Sequence, residues 1–445
     1  MNNNKEVKNS SMTDMLRSLS ELIRIPSVKA EKSEAGPFGE NIAKALDHTL
    51  SLCDNLGFRT KNCDDYCGYA EIGEGETLFG ILAHLDVVPA GEGWDHPPFG
   101  AEIDDEKLYG RGAIDDKGPI IACIYAIKEL MDEDVRFNCR IRFIFGLDEE
   151  SGWEDMDHYL KQEELPSVGF TPDADFPVIY GEKGILTFWF EDPKPDEDLM
   201  GEYIIGGDAI NMVPAFCRAS VLMKTGELKE IEIKGVAAHG STPEVGDNAI
   251  SKIMHKLYEM KSRGDLSPDS KLDKIINFYH DKIGYDYLGK DAGYARADQE
   301  SGDLTINVGM IEVKDKVCKI GIDMRYPVTH KYDEILEGIR ENIRNTHMTI
   351  GSVDHLKPVF MDQNSDLIRT LLSVYREITG DPSEPLTMGG GTYARAMDNI
   401  VAFGPLFPGT VDTAHQKDEY ISLSDLTKIK EIYKAAIRKI NSDDE

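Results

Sequence analysis

The feature that most constrains this chain is a series of apolar runs that each end in acidic or histidine side chains. In "GILAHLDVVPAG" (Gly80–Gly91) a run apolar on both faces ends by presenting His84 and Asp86. Residues two apart share one face of a strand, so the pair would meet on one side of a sheet. "RIRFIFGLDEESG" ends in Asp148, Glu149 and Glu150, and "SVGFTPDADFPVIYGEKG" in Asp173 and Asp175. Between them, "GRGAIDDKGPIIACIYAIKELMDE" begins as a glycine-bearing loop holding Asp115 and Asp116 and turns helical at Gly118-Pro119. Proline suits a first helical turn, and Ile120, Ile121, Ile124, Ile127, Leu130 and Met131 supply a broad apolar face. Alternating strand, loop and helix predicts a doubly wound α/β sheet whose chemistry gathers at the C-terminal edge of its strands.

Upstream, "TDMLRSLSELIRIPSV" predicts a helix capped by Ser11 or Thr13 and ended by Pro26, and a second helix is expected over Gly39 to Leu56 with Gly57 as its stop. From about Ile185 the rhythm changes. "LTFWFE", "KEIEIKGV" and "LTINVGMIEVKDKVCKIGIDMRYPV" alternate in period two, the last as a hairpin turning near Lys314 to Lys316. Two amphipathic helices join them, near "NAISKIMHKLYEM" and "KYDEILEGIRENIRN". At "DQNSDLIRTLLSVYREITG" the earlier rhythm resumes. A chain of 445 residues exceeds what one core usually supports. The expected plan is a catalytic α/β domain over 1–184 and 358–445, interrupted by an inserted α+β lid domain over 185–357.

The 81 acidic against 49 basic residues give a formal charge of -32, a field that disfavours nucleic acid and anionic membrane surfaces as partners. Seven cysteines are scattered; Cys63 and Cys67 lack the second pair that a four-thiolate zinc cluster needs. Free thiols, a polar start without a signal-peptide core and no apolar run long enough to span a bilayer read as a cytoplasmic chain.

Taken together, His84, Asp86, Asp115, Asp116, Glu149, Glu150, Asp173 and Asp175 would crowd several carboxylates into one place. Such groups resist ionising together unless cations neutralise them. Histidine with carboxylates suits zinc, manganese or cobalt better than calcium. Neighbours such as Glu149 and Glu150 point differently, so one can bind metal while the other carries protons. Plain structural roles compete: a helix cap for Asp115-Asp116, a solvated loop for the glutamates, a turn for Asp173 and Asp175.

"HLDVVPAGEGWDHPPFGAEIDDEKLYGRGAIDDKGP", "GLDEESGW", "FTPDADFPVIYGEKG" and the distal "GTVDTAHQKDEYI" together resemble the co-catalytic zinc peptidases of the aminoacylase and carboxypeptidase G family, and most closely its bacterial PepV-like, carnosinase-related dipeptidases. The resemblance spans nearly the whole chain. It implies two divalent metal ions, zinc first and manganese or cobalt as alternatives. His84 and Asp173 would bind one, Glu150 and His415 the other, with Asp115 bridging, Asp86 orienting His84 and Glu149 as general base. His415 is reached only through the resemblance, since a loop histidine carries no spacing signal.

The implied reaction is hydrolysis of a small peptide substrate, an unblocked dipeptide, without an acyl-enzyme. The resemblance gives His239 in "GVAAHGSTPEVGDNAI" the oxyanion role. Asn211 in "DAINMVP", Arg325 in "GIDMRYP" and Gly390, Gly391 and Thr392 in "MGGGTYARA" become candidate substrate contacts. Shorter-lid relatives take the lid histidine from a partner subunit. The length of this insertion instead favours a monomer, with a homodimer as the alternative. An N-acyl amino-acid amidohydrolase or desuccinylase would use the same metal site, and a non-catalytic metal- or peptide-binding protein is the reading from another class.

Overall fold

The computed structural model describes residues 2–441, with side chains from residue 12 onward. The fold is α/β and divides into two compact units. One comprises Met1–Tyr180, Met361–Leu386 and Thr392–Glu445; the other comprises Gly181–Phe360 and Thr387–Gly391.

In the first unit, the helices α1 (Asn2–Ile23) and α2 (Glu40–Leu56) lead into the strands β1 (Arg59–Cys63), β2 (Cys67–Ile72) and β3 (Leu78–His84). A short ribbon of β4 (Glu102–Asp104) and β5 (Lys107–Tyr109) precedes α3 (Lys117–Asp132), followed by β6 (Arg140–Gly146), α4 (Glu154–Gln162) and β7 (Val168–Thr171). The main sheet runs β1-β2-β6-β3-β7 and then Ile400–Ala402. Its centre, from β6 to Ile400–Ala402, is parallel, while β1 and β2 form an antiparallel margin. All seven residues of β3 are buried, as a central strand covered on both faces requires. The core gathers Leu19, Leu46, Ile124, Phe143, Leu371 and Ile432 from helices and strands far apart in sequence.

Register explains why the chemistry gathers at one edge. His84 pairs level with Gly146, and Leu85 N–H donates to the Gly146 carbonyl at 2.9 Å. The side chains after β3 and β6 therefore emerge together, and β7 ends beside them two residues before Asp173.

Gly57 closes α2 in the left-handed conformation, φ 98°, as its position after Leu56 suggested. α1 starts at Asn2, so Ser11 and Thr13 lie inside the helix rather than capping it. α3 begins at Lys117, and Asp116 at its N-cap makes no side-chain capping bond; its Oδ2 instead accepts the His84 N–H at 3.4 Å.

The second unit has a seven-stranded antiparallel sheet in the order Leu228–Lys234, Phe216–Leu222, Tyr203–Gly206, Thr305–Lys314, Val317–Tyr326, Gly184–Glu191, Thr349–Leu356. Leu186, Phe188 and Phe190 alternate with half-buried neighbours and enter a separate core with Ile250, Ile276 and Ile339. The hairpin turns at Asp315-Lys316. A third helix, Asp273–Lys282, joins the two expected ones, Ala249–Ser262 and Tyr332–Ile343. It carries little sequence signal, being ten residues long and preceded by Leu272, which offers no side-chain cap. No helix among the described residues is long and apolar enough to cross a membrane, and all seven cysteines are free thiols.

Gly146 has no room for a side chain, because a Cβ there would stand 2.2 Å from the Tyr393 hydroxyl and 2.3 Å from its ring. Tyr393 is itself fully buried. Gly146→Ala is expected to destabilise the protein by about 1–3 kcal/mol, the usual range for overpacking. Urea unfolding checks this; an unchanged midpoint would mean the Tyr393 ring moves aside freely.

Candidate metal centre

The strand ends of the first unit bring together the residues on which the sequence argument converged. His84 Nε2 lies 3.0 Å from Asp115 Oδ1 and 3.9 Å from Asp173 Oδ1. The other Asp115 oxygen, Oδ2, lies 2.8 Å from His415 Nε2, which in turn is 3.0 Å from Glu150 Oε1. Asp115 therefore stands between two histidines with one oxygen toward each. Ligand atoms of His84, Asp115 and Glu150 all fall within 4.8 Å of one another. Asp175 does not share this placement. It lies in the short strand Ala174–Asp175, paired with Pro405–Leu406.

Asp86, fully buried, holds two parts of this edge at once. Its Oδ1 is 3.4 Å from His84 Nδ1, whose ring also lies 3.0 Å from the Asp86 carbonyl. The same carboxylate accepts the N–H of Glu149 at 3.3 Å and of Glu150 at 3.1 Å. Two oxygens on Nδ1 make that nitrogen the donor and leave Nε2 as the atom aimed into the cluster. Beneath the glutamates, Asp155 accepts the N–H groups of Leu147 at 2.6 Å and Asp148 at 3.0 Å, and receives the Tyr393 hydroxyl. Sequence reading missed Asp155 and Tyr393. Asp155 sits in a helix start rich in acids, and Tyr393 is 238 residues away from it.

The charges are strongly perturbed. Burial pushes Glu149 well above the carboxylate range, with Asp173, Glu150 and Asp86 adding to the effect and His84 opposing it. Burial likewise lifts Asp173 to about 6. Burial would raise Asp115 too, but hydrogen bonds from His415 and His84 hold it below the usual range. Burial would lower His84, yet its bonds to Asp115, Asp173 and Asp86 raise it well above an ordinary histidine. His415, half exposed, is raised to about 11 by Asp115 and Glu150. Five carboxylates thus share the neighbourhood of two imidazoles, and protons supply the missing positive charge. Imidazole nitrogens and carboxylate oxygens at these separations form a donor set that fits a divalent transition ion.

In the second unit, His239 is exposed, with Nδ1 2.6 Å from Ser241 Oγ. Asn211 is exposed, and its carbonyl accepts the Gly240 N–H at 2.7 Å. Arg325 is buried and held in a fork by Asp323, both bonds at 2.9 Å, while its Nη1 donates to the Gly389 carbonyl at 3.0 Å. Gly390 and Gly391 follow in the same stretch of the second unit, whereas Thr392 belongs to the first. Thr392 is buried and caps the turn Tyr393–Ala396 by accepting the Ala394 N–H at 3.1 Å.

The chain matches the model of peptidase family M20/M25/M40 over residues 80–439, a span that includes every residue of the cluster. It belongs to that family and is a hydrolase acting on peptide bonds. A Bacillus subtilis (strain 168) protein named "Putative dipeptidase YtjP" is 37% identical over 459 residues, covering 96% of this chain and 97% of the relative. Among solved structures, the aminoacylhistidine dipeptidase of Vibrio alginolyticus superposes with a TM-score of 0.60 at 13% identity, covering 97% of each chain. The Bacillus subtilis YXEP protein, described as a dinuclear metal binding peptidase, gives 0.55 at 9% identity over 97% of this chain and 99% of its own. At those identities the two structures speak for the fold alone.

The protonated cluster has a signed consequence. Without an ion, the His415 proton stabilises the fold fully below the unfolded histidine value of about 6.5, and this contribution fades as pH rises toward about 11. Asp173 acts in the same direction between its ordinary value and about 6. A divalent ion that enters must displace these protons, so ion binding should release protons and tighten as pH rises from about 6 toward about 11. Calorimetry in buffers of different ionisation enthalpy measures the release. Buffer-independent heats would contradict the charge assignment.

Proposed function

We propose that this protein is a dipeptidase that hydrolyses unblocked dipeptides at a pair of divalent ions, zinc first, with manganese or cobalt compatible with the same donors. The observation that carries the reading is the placement of Asp115, one oxygen toward His84 and the other toward His415. In this reading His84 and Asp173 hold one ion, Glu150 and His415 the second, and Asp115 both. Bound there, such ions would supply Lewis acidity toward the scissile carbonyl and a water of lowered pKa.

The chain's own groups then divide the work. Glu149 is the general base: burial and neighbouring carboxylates raise its proton affinity, and beside the charge of bound ions it would stay ionised until the attacking water delivers a proton. A base in that environment takes a proton from the attacking water readily and can return it to the leaving amine. Asp86 positions Glu149 and Glu150 through their backbone N–H groups and fixes the His84 ring. Asp115 and Glu150, both in contact with His415, would serve as ion ligands rather than as the base. The resemblance to PepV-like dipeptidases assigns His239 to the oxyanion and Asn211, Arg325, Gly390, Gly391 and Thr392 to substrate contacts. For Arg325, the buried Asp323 fork would fix the guanidinium's orientation before substrate arrives.

Two variants separate the roles of the adjacent glutamates. Glu149→Gln should lower kcat by about 10²–10⁴, the range for loss of a general base, and leave ion content unchanged. Glu150→Gln should lose bound ion as well. Substantial activity in Glu149→Gln would assign the base elsewhere. The reading as a whole is tested by stripping the protein with a chelator and restoring zinc, manganese or cobalt before offering free dipeptides, tripeptides and N-acyl amino acids. Ion-dependent cleavage confined to free dipeptides supports it; preference for a blocked amine would make the protein an amidohydrolase.

A further inference from the structure

Glu419 lies four residues beyond His415, in "HQKDE", and is fully buried in the first unit. One of its oxygens, Oε1, accepts three backbone N–H groups, from Gly112 at 3.0 Å, Ile114 at 3.0 Å and Asp115 at 3.3 Å. The other, Oε2, receives Arg111 Nη1 at 2.6 Å. Arg111 is 2% exposed, lies over the Trp94 ring at 5.3 Å, and donates from Nη2 to the His415 carbonyl at 3.2 Å. The Gly110 N–H closes the arrangement on the Glu419 carbonyl at 2.9 Å.

These contacts link two loops some 300 residues apart. One loop delivers Asp115 and the other His415, and the two side chains meet at 2.8 Å. A buried ion pair is seldom kept for stability, since well-packed apolar side chains often serve as well. An apolar replacement here would leave the three N–H groups of the Asp115 loop without an acceptor. We infer that Glu419, acting through Arg111, is the positioning residue that sets Asp115 and His415 at a fixed separation and so preorganises the ion site they share. The inference rests on the two-ion reading above. It assigns Glu419 no contact with substrate; the residue acts by where it holds two others.

The arrangement distinguishes conservative variants. Glu419→Gln keeps the side chain's length and one carbonyl oxygen for the loop N–H groups, but presents an amide where Arg111 needs an acceptor. Arg111→Lys keeps a cation beside Glu419 but loses the planar fork that reaches the His415 carbonyl. The full chain, stripped with a chelator, would be titrated with cobalt(II) while visible absorption, ion stoichiometry and chelator competition are recorded. kcat and KM for a free dipeptide and the thermal midpoint of the stripped protein would be measured alongside.

Both variants should weaken one of the two ions by about 10–100-fold, as loss of a supporting partner does. They should also alter the cobalt absorption and lower kcat more than they change KM. Wild-type ion affinity and absorption in both variants would overturn the inference, whatever the thermal midpoint, because a merely structural pair would move only that midpoint. If Glu419→Gln does not fold, Arg111→Lys, which keeps the buried charges balanced, decides by the same readings. A wild-type protein that takes up no divalent ion would overturn the two-ion reading and this inference with it. Two ions bound equally by wild type and variants would overturn this inference alone.

Discussion

Mutual repulsion among the carboxylates at one strand edge is the constraint around which the first unit is organised. Asp86, Asp115, Glu149, Glu150 and Asp173 lie within reach of two histidines, and burial removes most of the water that would otherwise separate their charges. Left to itself, such a cluster would splay or take up protons. The fold resists splaying by fastening two of the acidic loops to buried acceptors: Asp86 under the glutamates, Asp155 under Leu147 and Asp148, Glu419 under Asp115. Each of these carboxylates accepts backbone N–H groups, so the acids that support the site are held by donors that do not titrate.

This fastening needs a scaffold that does not slip. A central parallel strand buried on both faces has a strongly specified register, because a shift of one residue would exchange its two packed faces. The level pairing of His84 with Gly146 is therefore fixed by the packing of Phe79, Ile81, Phe143 and Phe145 rather than by the site's own polar contacts. The geometry of the proposed ion site thus follows from core packing. The glycine at the end of β6, which admits the Tyr393 ring, is where packing and site meet.

What could be read in the sequence divides along the same line. His84, Asp86, Asp115, Glu149, Glu150 and Asp173 stand at the ends of strands or at a helix start, where apolar periodicity marks the element and the polar residue that follows stands out. The doubly wound order, the antiparallel alternation of the second unit and the glycine stop after Leu56 were legible for the same local reasons. His415, Glu419, Asp155 and Tyr393 were not. His415, Glu419 and Tyr393 meet partners hundreds of residues away, and Asp155, though close in sequence to Leu147 and Asp148, is one acid among several in the first turn of its helix. The start of α1 was misjudged because Ser11 and Thr13 look like caps wherever a helix passes through them, and Asp116 because its carboxylate binds the His84 N–H instead. Motif resemblance points to His415, and only atomic contacts reveal Asp155 and Glu419 as supporting acids.

The two units carry different parts of the proposed chemistry. Every proposed ion ligand and the proposed base belong to the first unit, with its own core of helices and strands. His239, Asn211, Arg325, Gly390 and Gly391 belong to the second, whose core is separate. Ion affinity depends on donors held rigidly, and here the donors are fastened by buried acids on a packed sheet. Substrate selection depends on groups that meet a partner arriving from water, and His239 and Asn211 are exposed loop residues of that kind. Arg325 differs from those two: it is buried and forked to Asp323 on the same strand, which holds its guanidinium in one orientation. In this proposed division, substitutions in the second unit would change which peptides are accepted without disturbing the charge balance among the first unit's acids.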